Sequence, residues 1–252
     1  MSIAELKLYQ LLVTLVVFVL PALIVALILG RRTVGHRYML RDACRWWHLN
    51  HQPNWTLTLA WVGLILLASP GVNLLSDVNQ HLHLPWPEWE QYFRDYEDQA
   101  AEITLLFLEP HAWYDLLVNL LLMAILPAMA EELFFRGTLL RYNTHIAVWM
   151  VAAVFSAVHM QLYGFIPRML LGAMLGYAYI WSGNLWVPML MHAANNALAV
   201  IAYHVTFRMG VDPESVNAIG GYGTRWVGVL SLLLTLAGFY GLYRYYKRQI
   251  GK

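Results

Sequence analysis

Cysteine is nearly missing from this 252-residue chain, which has a single one, Cys44. An internal disulfide is impossible, and without a Cys-x-x-Cys or a clustered thiol set, redox and zinc-thiolate chemistry are not expected. Charge is scarce as well, at 12% of residues, about half the ~25% usual in soluble domains. Sixteen Lys and Arg against fifteen Asp and Glu leave a formal net charge of +1, which argues against a nucleic-acid partner. No Gly-x-Ser-x-Gly elbow surrounds a serine, no His-Glu-x-x-His helix is present, and no 20- to 50-residue repeat or low-complexity tract is evident. What fills the chain is apolar surface, 60% of residues, the balance of a polytopic membrane protein.

Apolar runs matched against the ~30 Å of hydrocarbon predict an all-α bundle of about seven transmembrane helices: Tyr9–Gly30, Leu57–Leu75, Trp113–Phe135, Ile146–Met160, Tyr163–Trp181, Leu185–His204 and Trp226–Tyr243, the fourth of them short and the third continuing as helix to about Asn143. The first run lacks a basic flank ahead of it and reads as a retained anchor rather than a signal peptide. Arg31, Arg32, Arg37, Arg41 and Arg45 follow it, and Arg244, Lys247, Arg248 and Lys252 follow the last. The preference of such charges for the cytoplasmic side predicts an N-terminus outside and a C-terminus inside a cytoplasmic membrane. The 76–111 loop then lies outside and holds eight of the fifteen acids. Within it, Trp89, Tyr92, Phe93 and Tyr96 share one helical face, as expected of an interfacial helix that packs over its own bundle or admits substrate. Gly172 and Gly176 form a small-xxx-small pair for close helix packing. Arg168 either snorkels to the interface or makes a polar contact with substrate or site. The expected organisation is one integral membrane domain: N-terminal helices and acidic loop over 1–112, a core over 113–204, and a C-terminal loop and helix over 205–252.

The run LLLMAILPAM ends in AEELFFRG, residues 130–137, and ionisable groups inside a membrane point to function. At about 100° per residue, Arg136 lies about 40° around the helix from Glu132 but about 140° from Glu131. Glu132 and Arg136 are therefore the expected ion pair, and Glu131 is left to face elsewhere. Pro127 should disturb the helix by freeing the Met123 carbonyl. Counting from the expected inner ends, Glu131 rises about 18 Å, His159 about 20 Å, and His192 and Asn196 about 12 and 18 Å. His192 and Asn196 share a face, as do Phe155 and His159. A carboxylate, two imidazoles and an amide can thus converge on one cavity, able to deprotonate a water and to donate hydrogen bonds to an oxyanion. Ser156 lies on the same helix as His159 without the surroundings of a nucleophile. Asp115, near an outer helix start, is expected to be structural.

Glu131-Glu132-x-x-x-Arg136, Phe155-x-x-x-His159 and His192-x-x-x-Asn196, in that order, resemble the three motifs of the CPBP family, which comprises type II CAAX prenyl endopeptidases and bacterial Abi or lysostaphin-resistance-protein-A-like proteins. The resemblance covers roughly Trp113 to His204. It implies a glutamate-dependent intramembrane endopeptidase acting on a membrane-associated protein or peptide, with no cofactor. It further implies that Glu131 and His159 activate the water and that His192 and Asn196 form the oxyanion site. Glu132 and Arg136 would hold the site together, with Asn195 as a supporting amide. Three rivals remain: a zinc site built from Glu131, His159 and His192, a non-catalytic immunity or scaffolding protein with the cluster as a structural network, and a proton or solute transporter.

Overall fold

Every one of the expected apolar runs contains helix, and all regular structure among the described residues is helical. The computed structural model describes residues 2–34 and 39–250, with the side chains of 30–34, 39, 40 and 250 excluded. Arg37 and Lys252, and the side chains of Arg31 and Arg32, lie outside the described residues.

Helix α1 opens on a capping box in which the Ser2 hydroxyl accepts from the Glu5 N–H at 3.3 Å and the Glu5 carboxylate accepts from the Ser2 N–H at 2.7 Å. It comprises Ile3–Thr14, a widened π-helical turn Leu15–Val19, and Leu20–Val34. The wide turn sits just ahead of Pro21, which has no N–H to continue the ladder. Helix α2 is Met39–Trp46. Helix α3, Trp55–Gln80, begins at Asn54, whose side chain accepts from the Leu57 N–H. Helix α4 is Pro87–Leu108, and α5 is Asp115–Leu139. Then follow α6 His145–Ala157, α7 Phe165–Ser182, α8 Trp186–Met209, the single turn α9 Ser215–Ala218, and α10 Arg225–Ile250.

Four of these are long and apolar enough to cross a membrane: Ile3–Leu29, Trp55–Gln80, Asp115–Leu139 and Arg225–Gln249. With exposed Leu8, Leu12, Val16, Leu20, Ile24 and Ile28 running along α1, the apolar outer surface is one that only lipid tails would solvate. The chain is a multi-pass helical membrane protein.

Two of the sequence expectations are corrected. The third span ends at Leu139, not near Asn143, because Leu140 leaves the helix at φ −79°, ψ 75° and Thr144 already caps α6 through the Ala147 N–H. Glu131 is therefore about 12 Å, not 18 Å, from its helix end at 1.5 Å per residue. The fourth span is shorter than a membrane crossing: its 13 helical residues cover about 20 Å against ~30 Å of hydrocarbon. Met160, at φ +57°, takes the left-handed conformation that stops a helix. His159 accordingly stands just beyond α6 rather than within it.

The irregularity expected at Pro127 takes the form of a π-helical turn over Leu120–Ile125, which lets α5 continue although Pro127 donates no hydrogen bond. In α3, Pro70 is accommodated by a different device. The Ser231 hydroxyl of α10 accepts from the Gly71 N–H at 3.0 Å and donates to the Leu67 carbonyl at 2.5 Å, so a side chain is inserted into the α3 ladder. That buried hydroxyl ties α3 to α10. Beside it, Trp61, Tyr177, Trp181, Phe239 and Tyr246 form an aromatic core between α3, α7 and α10.

The glycine pair in α7 packs as expected. A methyl group on Gly176 would stand 2.8 Å from Val148 Cγ1, and one on Gly172 would stand 3.3 Å from the Ala152 backbone and 3.1 Å from the Phe155 ring. Helices α6 and α7 can approach this closely only where α7 has no side chain, and that approach brings Phe155 and His159 toward the other polar helices.

Candidate active site

Glu132 and Arg136 are both fully buried. The Arg136 Nη1 donates to Glu132 Oε1 at 2.6 Å, and its Nη2 donates to the Gly172 carbonyl of α7 at 2.7 Å. The pair expected from an i, i+4 spacing is therefore formed, and the arginine also bridges α5 to α7. Its guanidinium carbon lies 4.8 Å over the Phe155 ring, a cation–π contact. The bare backbone of Gly172 leaves room for this bridge.

A link that the spacing could not show runs from α8. The His192 Nδ1 lies 2.9 Å from Glu132 Oε1, the same oxygen that receives Arg136. A carboxylate only accepts, so Nδ1 carries the proton and donates. The opposite ring nitrogen, Nε2, faces Glu131 Oε2 at 3.9 Å. One imidazole thus stands between the two adjacent glutamates, fixed by Glu132 and presented to Glu131.

His159 is oriented by the same logic. Its Nδ1 is 2.8 Å from the Phe155 carbonyl, an acceptor, so Nδ1–H donates and the neutral ring keeps its Nε2 lone pair. The Phe155 ring makes edge contacts with both histidines, at 5.2 Å to His159 and 5.8 Å to His192 between centroids. Phe155 therefore touches Arg136, His159 and His192, which accounts for a bulky aromatic at that position.

Glu131, His159, His192 and Asn196 line one cavity of about 160 Å³, together with Phe155, Asn195, Arg168, Ile65, Leu171 and Leu175. Residues from α5, the end of α6, α7 and α8 converge there, and Ile65 of α3 closes a wall. Arg168, for which both readings were open from sequence, lines the cavity. Asn195 also lines the cavity, and its amide lies 3.5 Å from Asn196 Oδ1. Ser156 is fully buried and donates to the Phe165 carbonyl at 2.7 Å, a structural use that leaves it no nucleophile's role. Among the described residues, no three His, Cys, Asp or Glu side chains are grouped closely enough to hold a metal ion.

The turn after His159 is held from outside by residues that motif reading missed. The Tyr163 N–H donates to Glu97 Oε1 of α4 at 2.6 Å, and its carbonyl accepts from the Asn79 side chain of α3 at 2.6 Å. Arg94 of α4 lies 4.3 Å over the Tyr163 ring. The carboxylate of Glu90 is held down at about 2 by Arg94, by the Leu84 N–H and by His83, which fastens the start of α4 to the chain before it. These polar contacts use one side of α4 and leave Trp89, Tyr92 and Tyr96 exposed, as the interfacial face requires. Asp115 has the structural part expected of it: its Oδ2 accepts from the His111 and Ala112 N–H groups.

Comparison with known proteins singles out the same part of the chain. Residues 113–198 match the family described as type II CAAX prenyl endopeptidase Rce1-like. An uncharacterized protein of Bacillus subtilis (strain 168), YpbD, is 37% identical over 78 residues, which make up 29% of this chain and 40% of that protein. No solved structure matches the chain. The stretch that supplies both glutamates, both histidines and Asn196 is thus the stretch that resembles the Rce1-like type II CAAX prenyl endopeptidases.

Proposed function

We propose that the protein is an intramembrane endopeptidase that hydrolyses a peptide bond of a membrane-associated protein or peptide with a glutamate- and histidine-activated water. The observation that carries this reading is the convergence of Glu131, His159, His192 and Asn196 on one small cavity, supported by the Rce1-like match over the same residues. The His159 Nε2 lone pair and the Glu131 carboxylate accept the proton of a water as its oxygen attacks the scissile carbonyl. The carbonyl π bond opens, and negative charge develops on its oxygen.

That oxyanion needs donors. Asn196 supplies an amide N–H, and His192 supplies Nε2–H in its imidazolium form, because its Nδ1 proton is committed to Glu132. Collapse of the tetrahedral intermediate breaks the C–N bond, and the departing amine takes the proton held by the base. A carboxylate and an amine leave. Glu132 and Arg136 touch no reacting atom in this scheme; they set the position of His192 and of α7.

In this reading side chains alone activate the water, so strong chelators leave cleavage unchanged. The N-terminus lies outside and the C-terminus inside a bacterial cytoplasmic membrane, as the described Arg41, Arg45, Arg244, Lys247 and Arg248 favour. The test is cleavage, by purified protein in nanodiscs, of a prenylated CAAX-type peptide of the kind named in the matched family. Glu131→Ala and His159→Ala each lower cleavage by about 10²- to 10⁴-fold while the helical spectrum and melting midpoint stay near wild type. Full cleavage by both variants would refute the mechanism.

A further inference from the structure

Arg168 is the one guanidinium in the cavity lining, and the proposed hydrolysis makes no use of it. Its head group folds back over Gly164, where an added methyl group would stand 3.1 Å from Nη2 and 3.3 Å from Nη1, so a glycine makes room for it. Nη2 donates to Gln161 Oε1, a neutral acceptor. Nη1 is buried without a hydrogen-bond partner, and no carboxylate lies within 4.0 Å of the guanidinium among the described residues. A cation withdrawn from water without a counter-charge is costly. Arg136 is in direct ion-pair contact with Glu132, whereas among the described residues Arg168 has no such contact and keeps an open donor.

We propose that Arg168 is a carboxylate-binding subsite beside the hydrolytic centre and that its ligand is a carboxylate of the peptide substrate. The inference takes the nature of the ligand, a peptide, from the proposed function; the unpaired cation stands independently of it. A carboxylate matches the charge and the planar donor edge. A phosphate dianion fits less well, because Glu131 lines the same cavity and repels a second negative charge. Size narrows the choice further. About 160 Å³ is below the ~300–1,000 Å³ of sites that enclose a whole small ligand, so the cavity admits part of a chain, such as its end or one acidic side chain.

The experiment separates these two sources and separates binding from cleavage. The probe is a palmitoylated, fluorescein-labelled octapeptide with an uncharged sequence, prepared as the free acid, as the C-terminal amide, and as the amide with one glutamate near the end. Binding to the full chain in nanodiscs is read by anisotropy on uncleaved peptide, and cleavage is read separately by mass spectrometry. Wild type binds a carboxylate-bearing peptide about tenfold more tightly than the plain amide, as a charge-assisted hydrogen bond implies. Tightening of the acid alone identifies the chain end; tightening of the glutamate-bearing amide identifies an acidic side chain. Arg168→Gln loses the preference, and Arg168→Lys keeps a part of it, which shows that the site is still folded. Equal binding of all three peptides by wild type, or an unchanged preference in Arg168→Gln, overturns the subsite. Intact preference without any cleavage overturns the hydrolase instead and leaves the subsite standing.

Discussion

Replacing Arg136 by Met tests the physical core of the site. The side chain is fully buried, donates at 2.6 Å to Glu132 and at 2.7 Å to the Gly172 carbonyl, and lies 4.8 Å over Phe155. Its removal leaves the Glu132 carboxylate buried with His192 as its remaining partner. Breaking a buried pair on one side costs about 3–5 kcal/mol, chiefly through the charge left behind. Neutralising Glu132 to Gln in the same protein should recover much of that loss, since the amide oxygen still accepts from His192 Nδ1–H and no bare charge remains. Equilibrium unfolding in bicelles of wild type, Arg136→Met, Glu132→Gln and the double variant gives the coupling directly. The expected coupling is about 2–3 kcal/mol, the upper part of the range for contacting residues, with the double variant more stable than Arg136→Met alone. Additive losses, or a loss under about 1 kcal/mol in Arg136→Met, the range of exposed pairs, would refute the account of the pair as a buried brace.

Further outcomes follow from other contacts. Ser231→Ala strips the inserted hydroxyl from Gly71 N–H and the Leu67 carbonyl, and unfolding should show a loss of about 1–3 kcal/mol, whereas Ser231→Thr, which keeps the hydroxyl, loses less. Gly172→Val should separate α6 from α7 and lower both stability and cleavage, because the added side chain would meet Ala152 and Phe155; wild-type melting and activity would contradict the close approach. Glu90 is held down at about 2 from an ordinary 4.5, so its tie from α4 to Leu84 and His83 is fully present above pH 4.5 and is lost as pH falls toward about 2. Amide-exchange protection at Leu84, corrected for intrinsic rates, should fall across that window and be low throughout in Glu90→Ala. Protection that stays flat with pH would contradict it.

The fold class was legible because lipid imposes a simple code: apolar runs of sufficient length become helices. The four runs with few charges were readable in this way, while α6, α7 and α8 depart from a uniform span. The end of α5 at Leu139 and the stop at Met160 depend on backbone turns that composition does not announce. In the site, the i, i+4 geometry of one helix was enough to pair Glu132 with Arg136 and to leave Glu131 apart. The contacts missed from sequence all cross between elements: His192 to Glu132, Arg136 to the Gly172 carbonyl, and Tyr163 to Glu97 and Asn79. No spacing rule within a helix reports them. Glu97 is one of the acids of the 76–111 loop, and only the fold places the Tyr163 N–H beside it. Arg168 was visible as an intramembrane cation, but only the fold places it in the lining of the cavity.

The most direct measurement compares the termini of membrane proteins in cells that carry wild type or Glu131→Ala at equal membrane abundance. The account predicts at least one terminus present with wild type and absent with the variant, which would name both the substrate and the bond cut. Identical termini in the two strains, with both proteins folded in the membrane, would contradict hydrolysis and leave the glutamates and histidines as a structural network.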